Sequence, residues 1–185
     1  MANTSFTVGG SNTVNGFAQA DKFLLSFTRL PQVTILVQQA NIPEVAVNPA
    51  WQPTQGANAP VPGNKFQYGP FNIKFILDEN MWAWTSIYDW LAGIGFPASS
   101  DQYKNLPLQQ KLIQMAQITK EPQYSDAILT YYSNLNNPIL QFHFTEMFPV
   151  SLSDIQFDVT QPATQTMYAN ASFRFTDYNY KRYVY

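Results

Sequence analysis

The chain contains 185 residues, of which 12% are charged and 16% aromatic, and its formal net charge at pH 7 is −2. This length fits a single domain, the absence of cysteine excludes disulfides and thiolate metal sites, and the basic residues form no cluster that would grip nucleic acid. No apolar run approaches the roughly 18 residues of a membrane helix, and the N-terminus lacks the pattern of a signal peptide. Few charges beside many aromatic residues favour a surface covered by other protein, although an aromatic-rich β core would give the same composition.

The first part of the chain is predicted to be an arm followed by two strands. Residues 1–19 are rich in Asn, Ser, Thr and Gly, which is typical of a flexible N-terminal arm, and residues 20–185 are expected to form one β domain. Apolar and polar side chains alternate over residues 22–29, which predicts a strand that ends before Pro31. The same alternation over residues 33–40 predicts a second strand.

A long loop is expected at residues 49–70, where prolines and glycines recur too often for regular structure. Trp51, Phe66 and Tyr68 lie within it and argue against plain disorder. A loop of about twenty residues inside a domain is usually functional. We therefore expect this segment to be an arm that grips a neighbouring molecule.

The stretch from Phe71 to Leu91 joins a strand to a helix, because the period of its apolar residues changes from 2 to 3.6. Asp78 and Glu79 stand at the change, where acids would cap the exposed N–H groups of a helix predicted at about 78–92. The stripe of this helix that we expect to be buried contains Trp84, Ile87, Tyr88 and Leu91.

Strand patterns dominate the second half of the chain. They cover residues 126–133, 139–147, 153–160 and 167–176, with a turn at 136–138 and a tyrosine-rich tail after 178. Residues 100–119 are polar and contain a weak pattern for a second short helix. The economical fold is mainly β, a two-sheet antiparallel sandwich or barrel with one flanking helix.

The sequence offers little catalytic chemistry. His143, the one histidine, lies on the polar side of a predicted strand and has no nucleophile motif to serve. The adjacent Asp78 and Glu79 could serve glycoside hydrolysis, but capping of the helix explains them better. Asp154 and Asp158 are too sparse for a metal site, and there is no glycine-rich phosphate loop. We expect no enzyme and no cofactor.

In its order of motifs the chain resembles the tail tube proteins of contractile-tailed, T4-like phages, from about Phe23 to Tyr178. The matching features of the first half are the strand ending at Leu30-Pro31, the turn at Ala40, Ile42 and Pro43, and the loop rich in Pro and Gly. The acidic pair after Phe75 follows and leads to Trp82 or Trp84 and to Tyr88-Asp89-Trp90. The second half matches in Phe148-Pro149 with Leu152, a strand over Asp154–Val159, and a last strand closing in Phe173, Phe175 and Tyr178.

The resemblance implies a two-sheet β fold, shared with type VI secretion tube proteins, whose six copies form a ring with a continuous inner barrel. Rings stack into a hollow tube through which DNA passes without specific binding, and no reaction is catalysed. The implied partners are further copies of the chain, the tail sheath protein, the tape measure protein, and the baseplate and terminator proteins, with no membrane. The implied location is the virion tail, after assembly in the host cytoplasm.

Two sets of residues are candidates for the surfaces of such an assembly. The candidates for subunit or ring-stacking contacts are Trp51, Pro53, Pro60, Pro62, Phe66, Tyr68 and Trp82. A conduit should not bind phosphate, so the lumen-facing candidates come from polar strand faces: Gln141, His143, Thr145, Asn170 and Ser172.

Two alternatives stay open at this point. The chain could be a baseplate tube initiator or a tail terminator of the same fold. It could instead be a carbohydrate- or surface-binding β module, with Trp51 and Trp82 as exposed rings.

Overall fold

Antiparallel strands make up most of the computed structural model, which describes residues 6–8, 12–14, 20–54, 56–95, 101, 123–158, 160 and 166–183. The helices in these ranges are α1 (Pro31–Leu36) and α2 (Trp82–Gly95). The strands are β1 (Phe6–Val8), β2 (Asn12–Val14), β3 (Phe23–Phe27), β4 (Val37–Ala40), β5 (Val45–Val47), β6 (Ala50–Thr54), β7 (Ala57–Val61), β8 (Phe66–Tyr68), β9 (Phe71–Ile76), β10 (Ser125–Tyr132), β11 (Pro138–Leu152), β12 (Tyr168–Arg174) and β13 (Asp177–Arg182).

Two sheets share the long strand β11. The first half of β11 pairs with β10 and β13, and β10 pairs in turn with β3; we call this group sheet one. The second half of β11 pairs with β12, followed by β9 and β4; we call this group sheet two. The predicted two-sheet antiparallel fold with a flanking helix is thus confirmed, and the shared strand turns the two sheets into one continuous structure.

A bulge at Glu146 lets β11 serve both sheets. Between two paired positions β10 advances by two residues, from Ser125 to Ala127, while β11 advances by three, from Phe144 to Met147. Glu146 takes a positive φ of 54°, its N–H donates to the Asp126 carboxylate (3.2 Å), and its own carboxylate accepts from the Thr176 hydroxyl (2.7 Å). A bulge of this kind bends a strand, and such bends form the corners at which strands change sheets.

The core lies between the two sheets and is rich in phenylalanine. Phe71 of β9 meets Phe144 of β11 (ring centroids 4.8 Å apart), and Phe173 of β12 meets Phe27 of β3 (5.3 Å). These side chains come from alternate positions of their strands, as the burial pattern of β9 shows with Phe71, Ile73 and Phe75 buried. The polar residues between them must therefore point away from the core, onto the outer face of each sheet.

Helix α2 closes the core with Ile87 of the predicted stripe and with Trp90, which the prediction left out, while Trp84 and Leu91 of the stripe are partly buried against the core. Trp90 is fully buried, its indole N–H donates to the Gln123 carbonyl (2.9 Å), and the Arg29 guanidinium lies over its ring at 4.9 Å. Burial lowers the pKa of Arg29 to about 10, which still leaves the guanidinium charged at neutral pH to interact with the ring. Tyr88 was predicted to be buried but is 50% exposed, and it stacks on Trp84.

The predicted cap of α2 is also wrong. The helix begins at Trp82, after Met81 with a positive φ of 53°, and its first turn contains no acid. Asp78 instead belongs to the preceding turn, where its carbonyl accepts the Met81 N–H (3.0 Å). The two acids thus lie one turn too early to satisfy the N–H groups of the helix.

The strand predicted over residues 33–40 begins with a helix instead. Residues Pro31–Leu36 form α1, and only Val37–Ala40 form a strand, β4. Proline has a backbone angle that suits the first turn of a helix. Val33 is completely buried in the core, so tertiary packing overrides the strand preference of its β-branched side chain.

Three further boundaries differ from the sequence prediction. Strand β11 runs through Pro149, and this proline is tolerated because residues 148–152 form an edge of sheet two. Residues 153–158 form no strand, and the Asp158 carboxylate instead accepts bonds from the N–H and hydroxyl of Thr160, a local pattern that competes with strand pairing. The tyrosine-rich tail contributes β13.

Two predicted segments lie wholly or mostly outside the described residues. In the N-terminal arm, residues 1–19, β1 pairs with β2, and the other residues are not described. The short helix predicted within residues 100–119 falls outside the described residues except for residue 101.

We expect Trp90→Ala to lower the free energy of unfolding of the unassembled chain by about 3–5 kcal/mol, because it leaves a cavity against Arg29 and Phe173. The matched control is Trp82→Ala in the same helix, which should cost less than about 1 kcal/mol because Trp82 is 58% exposed. Urea titration followed by circular dichroism measures both, and equal losses would contradict the assignment of the buried face.

Candidate assembly interface

A two-part β-hairpin projects between β4 and β9, in the segment predicted to lack regular structure. Strands β5 and β8 form its stem, and β6 and β7 form its tip. The tip turns at Gly56, whose positive φ of 98° suits glycine. Stem and tip meet at Gly63, where an added Cβ would lie 2.0 Å from the Asn48 carbonyl oxygen. We call residues 45–68 the arm.

The prediction that residues 49–70 lack regular structure was therefore wrong. The reason is that the prolines of this segment occupy strand positions that tolerate them. Pro53 and Pro60 stand inside β6 and β7, which among the described strands pair only with each other. Each strand of such a pair keeps one free edge, and a proline costs little where its missing N–H would point to that edge.

The arm concentrates the exposed apolar side chains of the molecule. Among the described residues fourteen large hydrophobic side chains are exposed, and six of them fall between positions 42 and 66: Ile42, Val45, Val47, Trp51, Val61 and Phe66. In the tip, Trp51 lies opposite Pro60, and these two share a face with Pro53. Contiguous exposed apolar surface of this kind marks a site of contact with another molecule.

Tyr68 anchors the arm to the body. Its hydroxyl donates to the Asp177 carboxylate (2.7 Å), and its backbone carbonyl accepts from the Arg174 guanidinium (2.9 Å). Its ring packs against Phe175 and Tyr178, each 5.4 Å away between centroids. The hydrogen bond to Asp177 raises the pKa of Tyr68, because it stabilises the neutral phenol.

The lumen-facing candidates divide between the two outer faces. Gln141, His143 and Thr145 alternate with the buried Phe142 and Phe144, so they lie on the outer face of sheet one. Asn170 and Ser172 alternate with buried residues of β12 and lie on the outer face of sheet two. Because the sheets face each other across the core, these two sets point to opposite sides of the molecule. A single lumen can be lined by only one of them.

The outer face of sheet two is a shallow, polar depression with a volume of about 600 Å³. Its lining is mostly amide and hydroxyl: Gln39, Asn41, Asn72, Ser151, Ser153, Asn170 and Ser172. Lys74 is the one charged side chain of this lining, and its ammonium group lies over the Tyr168 ring at 4.5 Å. Arg174, in phase with Asn170 and Ser172 on β12, is a second basic residue on this outer face, and its guanidinium donates to the Tyr68 carbonyl (2.9 Å). Both basic side chains of the described strands of this face therefore have a partner within the same copy.

The edges of the two sheets differ in charge. Among the described strands, sheet two ends at β4 and at residues 148–152 of β11, and neither edge contains a charged residue. Sheet one ends at β3 and β13, and β13 contains Asp177, Lys181 and Arg182. Charged residues on an edge strand discourage pairing with another chain. Sheet two therefore has the edges better suited to pairing with other copies.

The residues considered as catalytic or metal-binding candidates do not come together in the part of the chain that the structure describes. His143 lies beside Ile128 and Asn179 of the adjacent strands, on the outer face of sheet one. Asp78 and Glu79 belong to the turn before α2. Among the described residues no three His, Cys, Asp or Glu side chains come together to hold a metal ion.

Comparison with known proteins agrees with this geometry. The model of the family described as phage tail tube protein matches residues 3–181. The chain belongs to this family. The tail tube family consists of structural subunits, so the protein is a tail tube-type structural protein and not an enzyme. It is a component of a phage-like tail particle, and the resemblance found in its sequence motifs is confirmed.

Solved structures share the fold of this tail tube protein at low sequence identity. The tube terminating cap of the anti-feeding prophage is 12% identical with a TM-score of 0.62, over 94% of this chain and 97% of that chain. A chain of the baseplate of the same particle is 12% identical with a TM-score of 0.58, over 91% and 98%. A chain of the PVC sheath–tube complex, an extracellular contractile injection system, is 10% identical with a TM-score of 0.57, over 92% and 95%. No curated protein sequence matches the chain.

The aromatic residues of the arm were identified from the sequence as interface candidates, but the contacts that anchor the arm to the body were not. Trp51, Phe66 and Trp82 are exposed as expected, and Tyr68 is half-buried at the base of the arm. The bond from Arg174 to the Tyr68 carbonyl and the bond from the Tyr68 hydroxyl to Asp177 were not foreseen, because more than a hundred residues separate Arg174 and Asp177 from Tyr68. The alternation of Val45-Ala46-Val47 against Phe66-Gln67-Tyr68 was the available signal for a hairpin stem.

We expect Tyr68→Phe to lower the free energy of unfolding by about 1 kcal/mol at neutral pH, through loss of the hydrogen bond to Asp177. The folded pKa of Tyr68 is raised, so its stabilising contribution is complete below the ordinary tyrosine pKa of 10.0 and decreases as the pH rises through the folded value. The wild type should therefore lose stability more steeply than the variant above about pH 10. Urea titrations of both proteins across that range measure the difference, and parallel pH profiles would contradict the anchor.

Proposed function

We propose that the protein is the tail tube subunit of a contractile-tailed phage or phage-like particle. Six copies form a ring, and the rings stack into a hollow inner tube through which DNA passes. The family match over nearly the whole chain carries this proposal. The two uncharged edges of sheet two support it, because unpaired edges of this kind invite pairing with another copy.

We propose that sheet two lines the lumen and closes the ring. Strand β4 of one copy would pair with residues 148–152 of the next, so that six four-stranded sheets form one barrel. Pro149 removes one donor from this edge, and residues 150–152 keep theirs. The outer face of sheet two is mostly amide and hydroxyl, and its two basic side chains, Lys74 and Arg174, each have a partner in the same copy. This suits a DNA conduit, because each phosphate neutralised by a free cation would add affinity. Asn170 and Ser172 then face the lumen, and Gln141, His143 and Thr145 face outward.

The arm and the exposed Trp82 are the proposed contacts between copies, within a ring or between stacked rings. Trp51, Pro53 and Pro60 belong to the tip of the arm, Pro62 directly follows it, and Phe66 and Tyr68 form the root. Aromatic residues are enriched where binding energy is concentrated at protein interfaces. The further proposed partners are the tail sheath, tape measure, baseplate and terminator proteins, with virion assembly in the host cytoplasm.

A tube-end role is the second candidate. Structures with similar folds include the anti-feeding prophage cap, a baseplate chain and the PVC sheath/tube terminator, which is 12% identical with a TM-score of 0.55 over 91% of this chain and 99% of that chain. Copy number separates the two roles. A tube subunit occurs in many stacked rings per particle, whereas an initiator or terminator occurs in one ring at an end.

We expect cysteines placed at Gln39 and Ser151 to cross-link between copies under mild oxidation and to give a ladder of products up to six chains. In one copy these positions lie on opposite edges of a four-stranded sheet, about 14 Å apart at the usual strand spacing. A disulfide needs Cα atoms about 4.4–6.8 Å apart, so only an adjoining copy can supply the partner. The native chain contains no cysteine, which keeps other products from forming.

The matched control places cysteines at Ser26 and Asn179, on the two edges of sheet one. This pair should give no ladder when the Gln39/Ser151 pair does. A ladder from the control pair alone would show that sheet one closes the ring. The register between copies determines the distance between the two cysteines. Cysteines at the neighbouring positions Asn41 and Ser153 are therefore tested in the same experiment. No cross-link from any pair in assembled protein would contradict closure through sheet edges.

We expect the purified wild-type chain to form hollow tubes in negative-stain electron microscopy. Deletion of residues 50–64 should leave a folded subunit that forms no long tubes, because the described pairing of residues 50–61 is confined to the tip. A far-UV circular dichroism spectrum and a cooperative melting transition serve as the control for folding. Wild-type protein that stays monomeric at high concentration would refute the proposed function, and long tubes from the deletion variant would refute the role of the arm.

A further inference from the structure

An apolar groove lies at the same end of the molecule as the root of the arm. It has a volume of about 460 Å³, and the described residues that line it are all apolar or aromatic, chiefly Phe23, Ile42, Tyr131, Leu140 and Phe142. One wall comes from sheet one and the other from the end of β4, so the groove lies where the two sheets separate. Ile42 is 54% exposed although it faces this apolar wall.

The tip of the arm matches this groove in chemistry. Residues 45–64 contain no charged side chain, and neither does the lining of the groove. Trp51, 65% exposed, is the largest side chain on the face of the tip that also presents Pro53 and Pro60. A buried Trp removes about 150–250 Å² of its surface from water, and proline stiffens the strand that presents it, which lowers the entropy lost on binding.

The arm of a copy does not occupy the groove of that same copy. No arm residue lines the groove, and Tyr68 holds the root of the arm against β13 through Asp177 and Tyr178. The groove therefore remains available to an arm from elsewhere.

We propose that the groove of each copy receives the tip of the arm from the next copy in the same ring, with Trp51 as the inserted side chain. This inference rests on the proposed ring assembly. Cyclic symmetry presents the same end of every copy in the same direction. Because Ile42 comes three residues before the arm begins, groove and arm root lie at that one end, so an arm reaches the adjoining groove by lying along the ring.

A mixing experiment tests the proposal. Ile42→Lys damages the groove and leaves the arm intact, whereas Trp51→Ser damages the arm and leaves the groove intact. We expect each variant alone to show at least a tenfold weaker self-association in sedimentation velocity than the wild type. Mixed in equal amounts, they should form heterodimers, because the intact arm of one variant fits the intact groove of the other.

Three controls separate the possible outcomes. Leu135→Lys changes an apolar residue that is 83% exposed outside the groove and should assemble as the wild type does. Removal of residues 1–19, which precede the groove residue Ala20, tests the N-terminal segment as the competing occupant. The proposal is overturned if Ile42→Lys assembles normally, if the mixture associates no better than its folded components, or if the truncation rather than Trp51→Ser reproduces the groove defect. Wild-type protein that never forms rings would instead refute the proposed function.

Discussion

The rest of the structure depends on one extra residue in β11. The bulge at Glu146 bends this strand so that its two halves belong to two sheets with their apolar faces in contact. A straight strand of 15 residues would extend about 50 Å and would leave the apolar face of one sheet uncovered. The positive φ of Glu146 costs about 1–3 kcal/mol, and hydrogen bonds from its N–H to Asp126 and from Thr176 to its carboxylate offset that cost.

The same corner determines where the molecule can meet other copies. Arg174, Thr176 and Asp177 lie on the strand segment opposite the bulge, and Arg174 and Asp177 bond to Tyr68 at the root of the arm. The bend that creates the core thus also fixes the point from which the arm projects. Because the bend folds sheet two over sheet one, it gives the molecule two outer faces that look in opposite directions. The two faces can therefore differ in polar composition with no conflict in the core.

Local alternation made the strands predictable, and distant contacts made the rest unpredictable. Phe71, Ile73 and Phe75 alternate with polar residues, so the sequence alone places β9 and its buried side. Glu146 falls in phase with the buried Phe142 and Phe144, so the alternation breaks at this residue. The break alone does not identify a bulge, because the bonds to Asp126 and Thr176 that hold it come from distant parts of the chain. Helix α2 and its buried Ile87 could be predicted, but the burial of Trp90 and the exposure of Tyr88 could not, because apolar residues occur almost all around the helix.

The proposed assembly surfaces were harder still to predict from the sequence, because they combine residues from distant parts of the chain. The aromatic residues of the arm were visible as candidates because they are unusual within a segment rich in proline. The groove that we propose as their receptor was not visible, since it combines Phe23, Ile42, Tyr131 and Leu140 from four separate parts of the chain. Likewise, the polar residues of β11 and β12 looked equivalent in sequence, and only the sheet topology separates them onto opposite faces.

Exposed apolar surface and uncharged edges would be a liability for a chain that stayed monomeric. Soluble proteins usually protect edges with Lys or with a covering element. Here only β13 carries such charges, whereas both edges of sheet two lack them and six exposed apolar side chains fall between positions 42 and 66. Head-to-tail contacts either close into rings or propagate into open fibres, depending on the rotation between copies. An arm held at a fixed root by Tyr68 restricts that rotation, so the anchor inside one subunit bears directly on whether the assembly closes.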